Sequence, residues 1–598
     1  MSEPKRGAVM IGVSKTGNLP QLKAAVGCAK KMGKWAIEQG FTKKLVKVIT
    51  DEKGAVRAQH IIDAVDKILE EDGLEQILVY FAGHGVNNAR SEYWLLSGAP
   101  VKTAEAVNLD GSVDAARYVG VPHVVFISDA CRTQVEGIQA GRVKGQEIFP
   151  NKPEGAPEQP VDIFFACTLG SPSLEIKDPK NSAAIFKAQY TEAMLEALEG
   201  KRTEVIEELV DGSNTVGLVR PRPLGNYLVT ELARRLAGVK TPEGPVSQVP
   251  YARLTSPEKE AWIARFVEAR VVRTSRGRAA KLREVRVEEP VSIHGVAHSV
   301  LRSALQGDRV ETDRKVDEAV EAQVGGASTM KSSMARGEPA YGPTHFETGC
   351  GFKVRGASVV EAIILPGTKT HVDIDPNDPT LVRVYHVQAP AASVLLRFHT
   401  GAGIVVPAIP QFLATVSFAD GELVSVSYEP SDNSLRWAAY MGNIEQFRTL
   451  RSVIAASAHL GTFRLDGEDA AALARQMQMS KNADPAMALY AAYAYHELRH
   501  TERLREMHDF QRSDLGFRLF DLAMLTRALN NKVSTAEPNV FPAFPLLAQG
   551  WALLSAFGIT LPKKLSELQD HLVPSIWSVF DAEGVAMLRS AITSGDMK

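Results

Sequence analysis

Over the first 240 residues, short apolar runs alternate with segments whose apolar residues recur every three or four positions. The runs lie at residues 8–13, 45–49, 77–81, 123–127 and 161–166. Between them, residues such as Ile61, Val65 and Ile68 follow the spacing of one helix face, and a closing helix is predicted at residues 184–198. Continuous apolar strands that alternate with amphipathic helices predict a mostly parallel sheet covered by helices on both faces.

The pattern changes beyond residue 240. Residues 241–345 carry many charges without a sustained period, which predicts a charged helical linker. Residues 346–430 hold short apolar runs and a hairpin signal at Asp420-Gly421, which predicts a small β-sandwich or barrel. Residues 431–598 return to helical periodicity and predict an all-helical module. The expected fold class is therefore multidomain, with an α/β domain at residues 1–240 followed by β-rich and helical modules.

The overall charge excludes some partners. The 598 residues have a formal net charge of −2, which argues against a general role in binding nucleic acid or a membrane surface. The exception is the arginine-rich run from Arg265 to Arg286, for which binding of nucleic acid stays open as an alternative to a solvated linker. The apolar run at residues 8–13 is too short for a signal peptide, and no membrane span is expected.

The cysteines point to a reducing compartment. Only four are present, Cys28, Cys131, Cys167 and Cys350, and they are too scattered for a disulfide framework. No two of them form a CxxC pair, so we expect no zinc site and no metal cofactor. A cytoplasmic protein is predicted.

Two polar motifs follow apolar runs. Gly83-His84-Gly85 comes after residues 77–81, and Ser128-Asp129-Ala130-Cys131-Arg132 comes after residues 123–127. In a parallel sheet, the carboxyl ends of the strands form the edge where ligands bind. A thiol needs a base to become a nucleophile, and His84 can supply one. A Cys behind a buried strand is also often an inert core thiol, so Cys131 alone would not establish catalysis.

With the His 47 residues before the Cys, these motifs resemble the caspase-like cysteine peptidases, which comprise caspases, metacaspases and paracaspases. The resemblance covers residues 7–200 and implies an α/β sandwich with endopeptidase activity. It implies that His84 and Cys131 form the catalytic dyad. It also implies an oxyanion hole made by the backbone N–H groups of Gly85 and Cys131. No cofactor is expected, and a dependence on calcium stays open as an alternative.

The resemblance also bears on the substrate. Metacaspases cleave after Arg or Lys, and an Asp two residues before their Cys lines the first specificity pocket. Asp129 has this position, while the family's second pocket carboxylate is absent, because the matching residues are Gly27-Cys28-Ala29. Ser173 and Glu175 are also assigned to substrate binding. One carboxylate favours a basic P1 side chain by Coulomb attraction, and the alternative for Asp129 is a buried cap of the strand end.

The long segment between Cys131 and Val161 corresponds to the one that caspases cleave on activation. It contains Arg142 and Lys144, which we predict as autoprocessing sites if the enzyme prefers basic P1 residues.

Two functions from different classes follow. The first is a cysteine endopeptidase that acts on a protein or peptide substrate and is regulated through its C-terminal modules, in stress, defence or cell death. A regulatory partner at the β or helical module is part of this hypothesis. The alternative is a catalytically degenerate caspase-like scaffold, which the missing second carboxylate keeps open.

Overall fold

The computed structural model describes most of the chain. The described residues are 4–88, 91–130, 142–151, 157–167, 175–177, 186–211, 214–236, 240–241, 244–245, 250–267, 348–364, 369–387, 390–419, 421–444, 447, 450–451, 454, 463, 465, 470–529 and 539–595. The chain forms two compact units, one of residues 1–88 and 92–290 and the other of residues 89–91 and 291–598. No helix among the described residues is both long enough and apolar enough to cross a membrane.

The first unit alternates strands and helices, as its apolar pattern predicts. Its elements are β1 (Lys5–Gly12), α1 (Ala25–Glu38), β2 (Val46–Thr50), α2 (Ala58–Leu69), β3 (Leu74–Gly83), β4 (Gly85–Asn87), β5 (Glu92–Leu95), β6 (Ala106–Asn108), α3 (Leu109–Ala116), β7 (His123–Ala130), β8 (Val161–Phe165), β9 (Glu175–Lys177), β10 (Phe186–Ala188), α4 (Gln189–Leu198), β11 (Ile206–Asp211), β12 (Asn214–Val219), α5 (Pro221–Leu236), β13 (Lys240–Thr241), β14 (Gly244–Pro245), β15 (Tyr251–Arg253) and β16 (Ala264–Val267), with 3-10 turns at Lys43–Leu45 and Thr203–Val205.

A six-stranded sheet in the order β15-β8-β7-β3-β1-β2 forms the centre of this unit. The five strands from β8 to β2 run parallel, and β15 is antiparallel to β8 at one edge. The prediction of a mostly parallel sheet is therefore confirmed. All residues of β7 are buried, which explains the continuous apolar run at its residues 124–127.

Helices cover both faces of the sheet. On one face, α1, α4 and α5 pack around a core that includes Met32, Leu195 and Leu228. On the other face, α2 and α3 contribute Ile61 and Val113 to a second core. Burial on both sides is what the amphipathic spacing of these helices requires.

Three details differ from the sequence-based expectations. The closing helix begins at Gln189 rather than at residue 184, because residues 186–188 pair with β9 as strand β10. Strands β4, β5 and β6 form a small antiparallel sheet that was not predicted, since runs of three or four residues show no clear period. The boundary predicted at residue 240 falls inside this unit, because β15 pairs with β8 and β16 pairs with β12.

The second unit combines strands and helices. Its elements are β17 (Gly351–Arg355), β18 (Val359–Ile363), β19 (His371–Ile374), β20 (Leu381–Tyr385), β21 (Ala392–Phe398), β22 (Gly403–Ala408), β23 (Phe412–Ala419), β24 (Glu422–Pro430), α6 (Trp437–Met441), α7 (Ala470–Ser480), α8 (Ala486–Glu497), α9 (Thr501–Leu515), β25 (Arg518–Leu519), α10 (Phe520–Leu525), β26 (Val540–Phe541), α11 (Lys563–Ser566), β27 (Val579–Phe580) and α12 (Ala582–Thr593), with 3-10 turns at Ala548–Ala552 and Glu567–His571.

Two sheets, β19-β20-β17-β23-β24 and β18-β21-β22-β27, pack against each other in this unit. Phe398 of β21 meets Phe418 of β23 edge to face, with ring centroids 4.6 Å apart. The predicted hairpin is confirmed, since β23 and β24 pair antiparallel around Gly421, which has a positive φ of 83°.

Residues 431–598 are not all helical, which corrects the prediction for this segment. Strand β27 lies near the chain's end and pairs with β22, so it completes the second sheet from more than 170 residues away. One hydrophobic core runs from both sheets into the helices, and Tyr490 and Trp577 belong to it together with Phe398. The β-rich and helical segments therefore share a core.

Most of the arginine-rich run lies outside the described residues.

Candidate active site

The register between β3 and β7 sets the geometry of the site. These neighbouring parallel strands pair Ala82 with Asp129 and Gly83 with Ala130. His84 and Cys131 are therefore the residues that directly follow two register-matched strand ends. His84 is described by the structure, whereas Cys131 lies outside the described residues.

The imidazole of His84 is fixed by a backbone carbonyl. Its Nε2 atom lies 2.7 Å from the carbonyl oxygen of Pro20, and its ring is partly exposed. A carbonyl oxygen can only accept a hydrogen bond, so Nε2 must carry the proton of this contact. In the neutral ring, Nδ1 is then the nitrogen with the lone pair, and it is the atom available as a base.

The loop that carries Pro20 is held from several sides. The Asp51 carboxylate accepts a hydrogen bond of 2.9 Å from the Ser14 N–H, and the Gly17 N–H donates to the Ser97 carbonyl at 3.1 Å. Sequence reasoning missed the Pro20 carbonyl. The available signal was topological, because the loops after β1 and β3 must meet once these strands are neighbours.

The backbone N–H of Gly85 faces the open edge of the small sheet. Gly85 pairs with Trp94, and the Leu95 N–H donates to the His84 carbonyl at 2.9 Å. This pattern makes Gly85 and Trp94 a non-hydrogen-bonded pair of the antiparallel ladder. The Gly85 N–H therefore points away from β5, and β4 is the edge strand on that side. A donor in this position is suited to stabilising an oxyanion.

Asp129 is only 7% exposed and lies on the face of the sheet that α1 and α4 cover. The Thr191 hydroxyl donates to its Oδ2 atom, and the Tyr80 hydroxyl lies 2.6 Å from the same Thr191 oxygen. Cys28 is close by. Burial and then the charge of Asp129 raise the pKa of its thiol to about 12.

The three cysteines other than Cys131 all lie in buried positions. None of the three, Cys28, Cys167 and Cys350, is part of a disulfide among the described residues. Burial alone raises the pKa of Cys350 to about 12. The Cys167 thiol lies 3.5 Å from the carbonyl of Ala130, the residue that precedes Cys131. These thiols are the natural references for the reactivity of Cys131.

The structure describes only some of the other predicted site residues. Ser173 lies outside the described residues, and Glu175 begins strand β9 without a described side chain. Arg142 is exposed, whereas Lys144 is partly buried and its N–H donates to the Thr103 carbonyl at 3.1 Å. Within the described ranges, no group of three or more His, Cys, Asp or Glu residues could hold a metal ion.

The comparison with known families identifies the N-terminal part of the chain. Residues 5–216 match the family model of the caspase domain, peptidase family C14. The chain therefore carries a caspase-like domain at its N-terminus. A domain of this family indicates a cysteine peptidase, a hydrolase that acts on proteins. No curated protein matches the sequence.

Several solved caspase structures are also similar. Caspase-1 from Spodoptera frugiperda is 13% identical, with 42% of this chain and 86% of that chain covered and a TM-score of 0.28. The structure of pro-sf-caspase-1 has the same identity and coverage with a TM-score of 0.26. The Drosophila initiator caspase Dronc is 11% identical, with 41% and 78% covered and a TM-score of 0.25.

Proposed function

We propose that the first unit is a cysteine endopeptidase in which Cys131 is the nucleophile and His84 its acid–base partner. The observation that supports this most directly is the hydrogen bond from His84 Nε2 to the Pro20 carbonyl. It selects the tautomer whose free lone pair is on Nδ1, and it keeps the ring from rotating. The register of β3 and β7 supports the pairing, because it matches the residues just before His84 and Cys131.

In the proposed reaction, Nδ1 of His84 takes the thiol proton and the Cys131 sulfur attacks the peptide carbonyl. The oxyanion that forms accepts hydrogen bonds from the N–H groups of Gly85 and Cys131. His84 then gives its proton to the leaving amine, and the C–N bond breaks to leave a thioester. A water molecule deprotonated by His84 cleaves the thioester and restores the free thiol.

We further propose that the enzyme cleaves after basic residues, with Asp129 binding the P1 cation. Asp129 is a carboxylate at the end of the strand that leads to Cys131, and it accepts a hydrogen bond that favours its charged form. The second unit is proposed to regulate the peptidase or to recruit a partner. The buried cysteines of both units, which form no disulfide among the described residues, suit a cytoplasmic enzyme.

The test compares the wild type with Cys131→Ala and His84→Ala, and uses Cys350→Ser as the control. N-terminal profiling of a proteome treated with each protein should show new N-termini after Arg or Lys only with the wild type and the control. Iodoacetamide should also alkylate Cys131 much faster than Cys28, Cys167 and Cys350, and this difference should shrink in His84→Ala.

Equal alkylation rates for all four thiols, with no new N-termini, would contradict the peptidase. That result would favour the catalytically degenerate scaffold.

A further inference from the structure

A chain of buried hydroxyl groups ends on Asp129. The Thr191 Oγ1 atom lies within hydrogen-bond distance of both the Tyr80 hydroxyl and Asp129 Oδ2. Thr191 has one hydroxyl hydrogen, and an ionised carboxylate can only accept. Thr191 therefore donates to Asp129, and Tyr80 must donate to Thr191. The direction of the chain is fixed from Tyr80 through Thr191 to Asp129.

The burial of these three side chains strengthens the hydrogen bonds between them. Tyr80 and Thr191 are completely buried, and Asp129 nearly so. A hydrogen bond to a charged group is stronger than one between neutral groups, and successive hydroxyls polarise one another in a low dielectric. Thr191 is the third residue of α4, so the carboxylate also lies beside a helix N-terminus, where the macrodipole favours an anion.

The charged and titratable groups near Asp129 lie on helix α1, helix α4 and strand β3, which carries Tyr80. Helix α1 contributes Cys28 and Lys31, and the Lys31 ammonium pairs with Glu192 of α4. Burial, followed by the charges of Cys28 and Asp129, raises the pKa of Tyr80 well above its usual range. Tyr80 therefore keeps its proton and remains a donor throughout the pH range of a peptidase assay.

We propose that Tyr80 and Thr191 are positioning residues that determine specificity, because they hold Asp129 ionised and oriented toward the ammonium or guanidinium of a basic P1 side chain. This inference rests on the proposed function, in which Cys131 and His84 hydrolyse peptides. It assigns a role to two residues that lie 51 and 60 positions from Cys131 in the sequence.

Tyr190 provides a matched control residue in the same protein. Its hydroxyl is also buried and close to Asp129, but it makes no hydrogen bond to any described residue. Tyr80→Phe and Tyr190→Phe therefore remove the same atom from the same core. Only Tyr80→Phe removes a donor from the series of hydrogen bonds that ends on Asp129. Thr191→Val removes the direct donor with little change in volume, and Thr191→Ser restores it.

The experiment uses the full-length protein and fluorogenic peptides with Arg, Lys or Leu at P1. Thr191→Val should raise KM for the Arg and Lys peptides at least about tenfold, as the loss of about 1.5 kcal/mol implies, with kcat nearly unchanged. The acid limb of kcat/KM for the Arg peptide should move to higher pH, because Asp129 loses a donor to its charged form. Tyr80→Phe should give a smaller shift in the same direction, whereas Thr191→Ser and Tyr190→Phe should match the wild type.

Two further measurements separate the possible failures. Iodoacetamide carries no P1 side chain, so Thr191→Val should not slow the alkylation of Cys131. An equal loss of Arg turnover, Lys turnover and alkylation would show a merely structural role and overturn the inference. An unchanged KM would also overturn it.

The last measurement does not depend on catalysis. Agmatine, a guanidinium with a methylene stem like that of arginine, should bind Cys131→Ala protein by calorimetry, and Thr191→Val should weaken this binding at least about tenfold. If the wild type cleaves no peptide while agmatine binding still depends on Thr191, the proposed function fails and the inference stands. Agmatine binding that is absent, or that ignores Thr191, overturns the inference.

Discussion

Asp162 is the residue whose loss should most disturb the edge of the central sheet opposite the candidate active site. Its side chain is fully buried at the start of β8. It accepts hydrogen bonds from the N–H groups of Thr255 and Ser256 at 2.8 and 3.0 Å, from the Ser256 hydroxyl, and from His123 Nε2 at 2.9 Å. These contacts attach the segment that leads away from β15 to the parallel strands.

Asp162→Ala removes the acceptor of the buried His123 ring and of the half-buried donors on Thr255 and Ser256. Breaking such a buried, charge-assisted cluster from one side costs about 3–5 kcal/mol. We therefore expect local protection of residues 161–165 and 250–256 to fall by on the order of 100-fold to several thousand-fold, because each 1.4 kcal/mol is a factor of ten. Asp162→Asn keeps one acceptor oxygen and should lose less.

The pH dependence has a definite sign. Burial on its own would raise the pKa of Asp162, but the hydrogen bond and charge of His123 and the hydrogen bonds from Ser256 outweigh it, and the pKa lies below its usual value. The folded state therefore favours the ionised form. The stabilisation by Asp162 is present above the unfolded pKa of about 4 and is lost as the pH falls through the folded value.

Hydrogen exchange by mass spectrometry on the full-length protein measures this locally. Glu258→Ala is a suitable control, since Glu258 lies in the same segment and its ion pair among the described residues, with Arg222, is exposed. The difference in protection between the wild type and Asp162→Ala should be large at pH 7 and should shrink toward pH 3. Equal protection at pH 7, or a difference that grows in acid, would refute the reasoning.

Three other predictions concern separate parts of the chain. Asp129→Asn should lower kcat/KM for an Arg peptide at least 100-fold, because a charge pair at 4 Å is worth about 4 kcal/mol at an effective dielectric constant of 20, while a Leu peptide changes little; an equal loss for both would contradict it. Arg142→Ala should abolish self-cleavage detected by intact mass, whereas Lys144→Ala should not, since the Lys144 backbone is bonded to Thr103; cleavage that persists in Arg142→Ala would count against it. Burial raises the pKa of Asp521 to about 6, so the folded second unit favours the protonated carboxyl, and hydrogen exchange should show this unit opening more readily at pH 7 than at pH 4.5. Asp521→Asn should remove this pH dependence of the opening. A pH dependence that is unchanged in the variant would exclude Asp521 as its cause.

The local pattern of the sequence carried the parts of the fold that depend on neighbouring residues. The buried runs of β3 and β7 are continuous and apolar, so their ends, and the polar residues that follow, were readable. The β23–β24 hairpin was readable because its turn contains Gly421, whose positive φ suits glycine.

Long-range pairing could not be obtained in this way. Strand β15 joins β8 across about 90 residues, and β27 joins β22 across more than 170, and neither two- or three-residue strand has a period of its own. The contact between Thr191 and Asp129 spans 62 residues, and that between His84 and Pro20 spans 64. Such contacts depend on which strands become neighbours, and apolar periodicity does not contain that information.

The end of β7 shows why a single strand can organise the whole site. Successive residues of a strand point to opposite faces, so Ser128 and Asp129 reach different layers. Ser128 accepts a hydrogen bond of 2.9 Å from the indole N–H of Trp94, the residue that pairs with Gly85. Asp129 instead accepts from Thr191 on α4. The same strand end therefore fixes the strand with the proposed oxyanion donor and the proposed P1 carboxylate, and a shift of one residue would exchange the two faces and lose both.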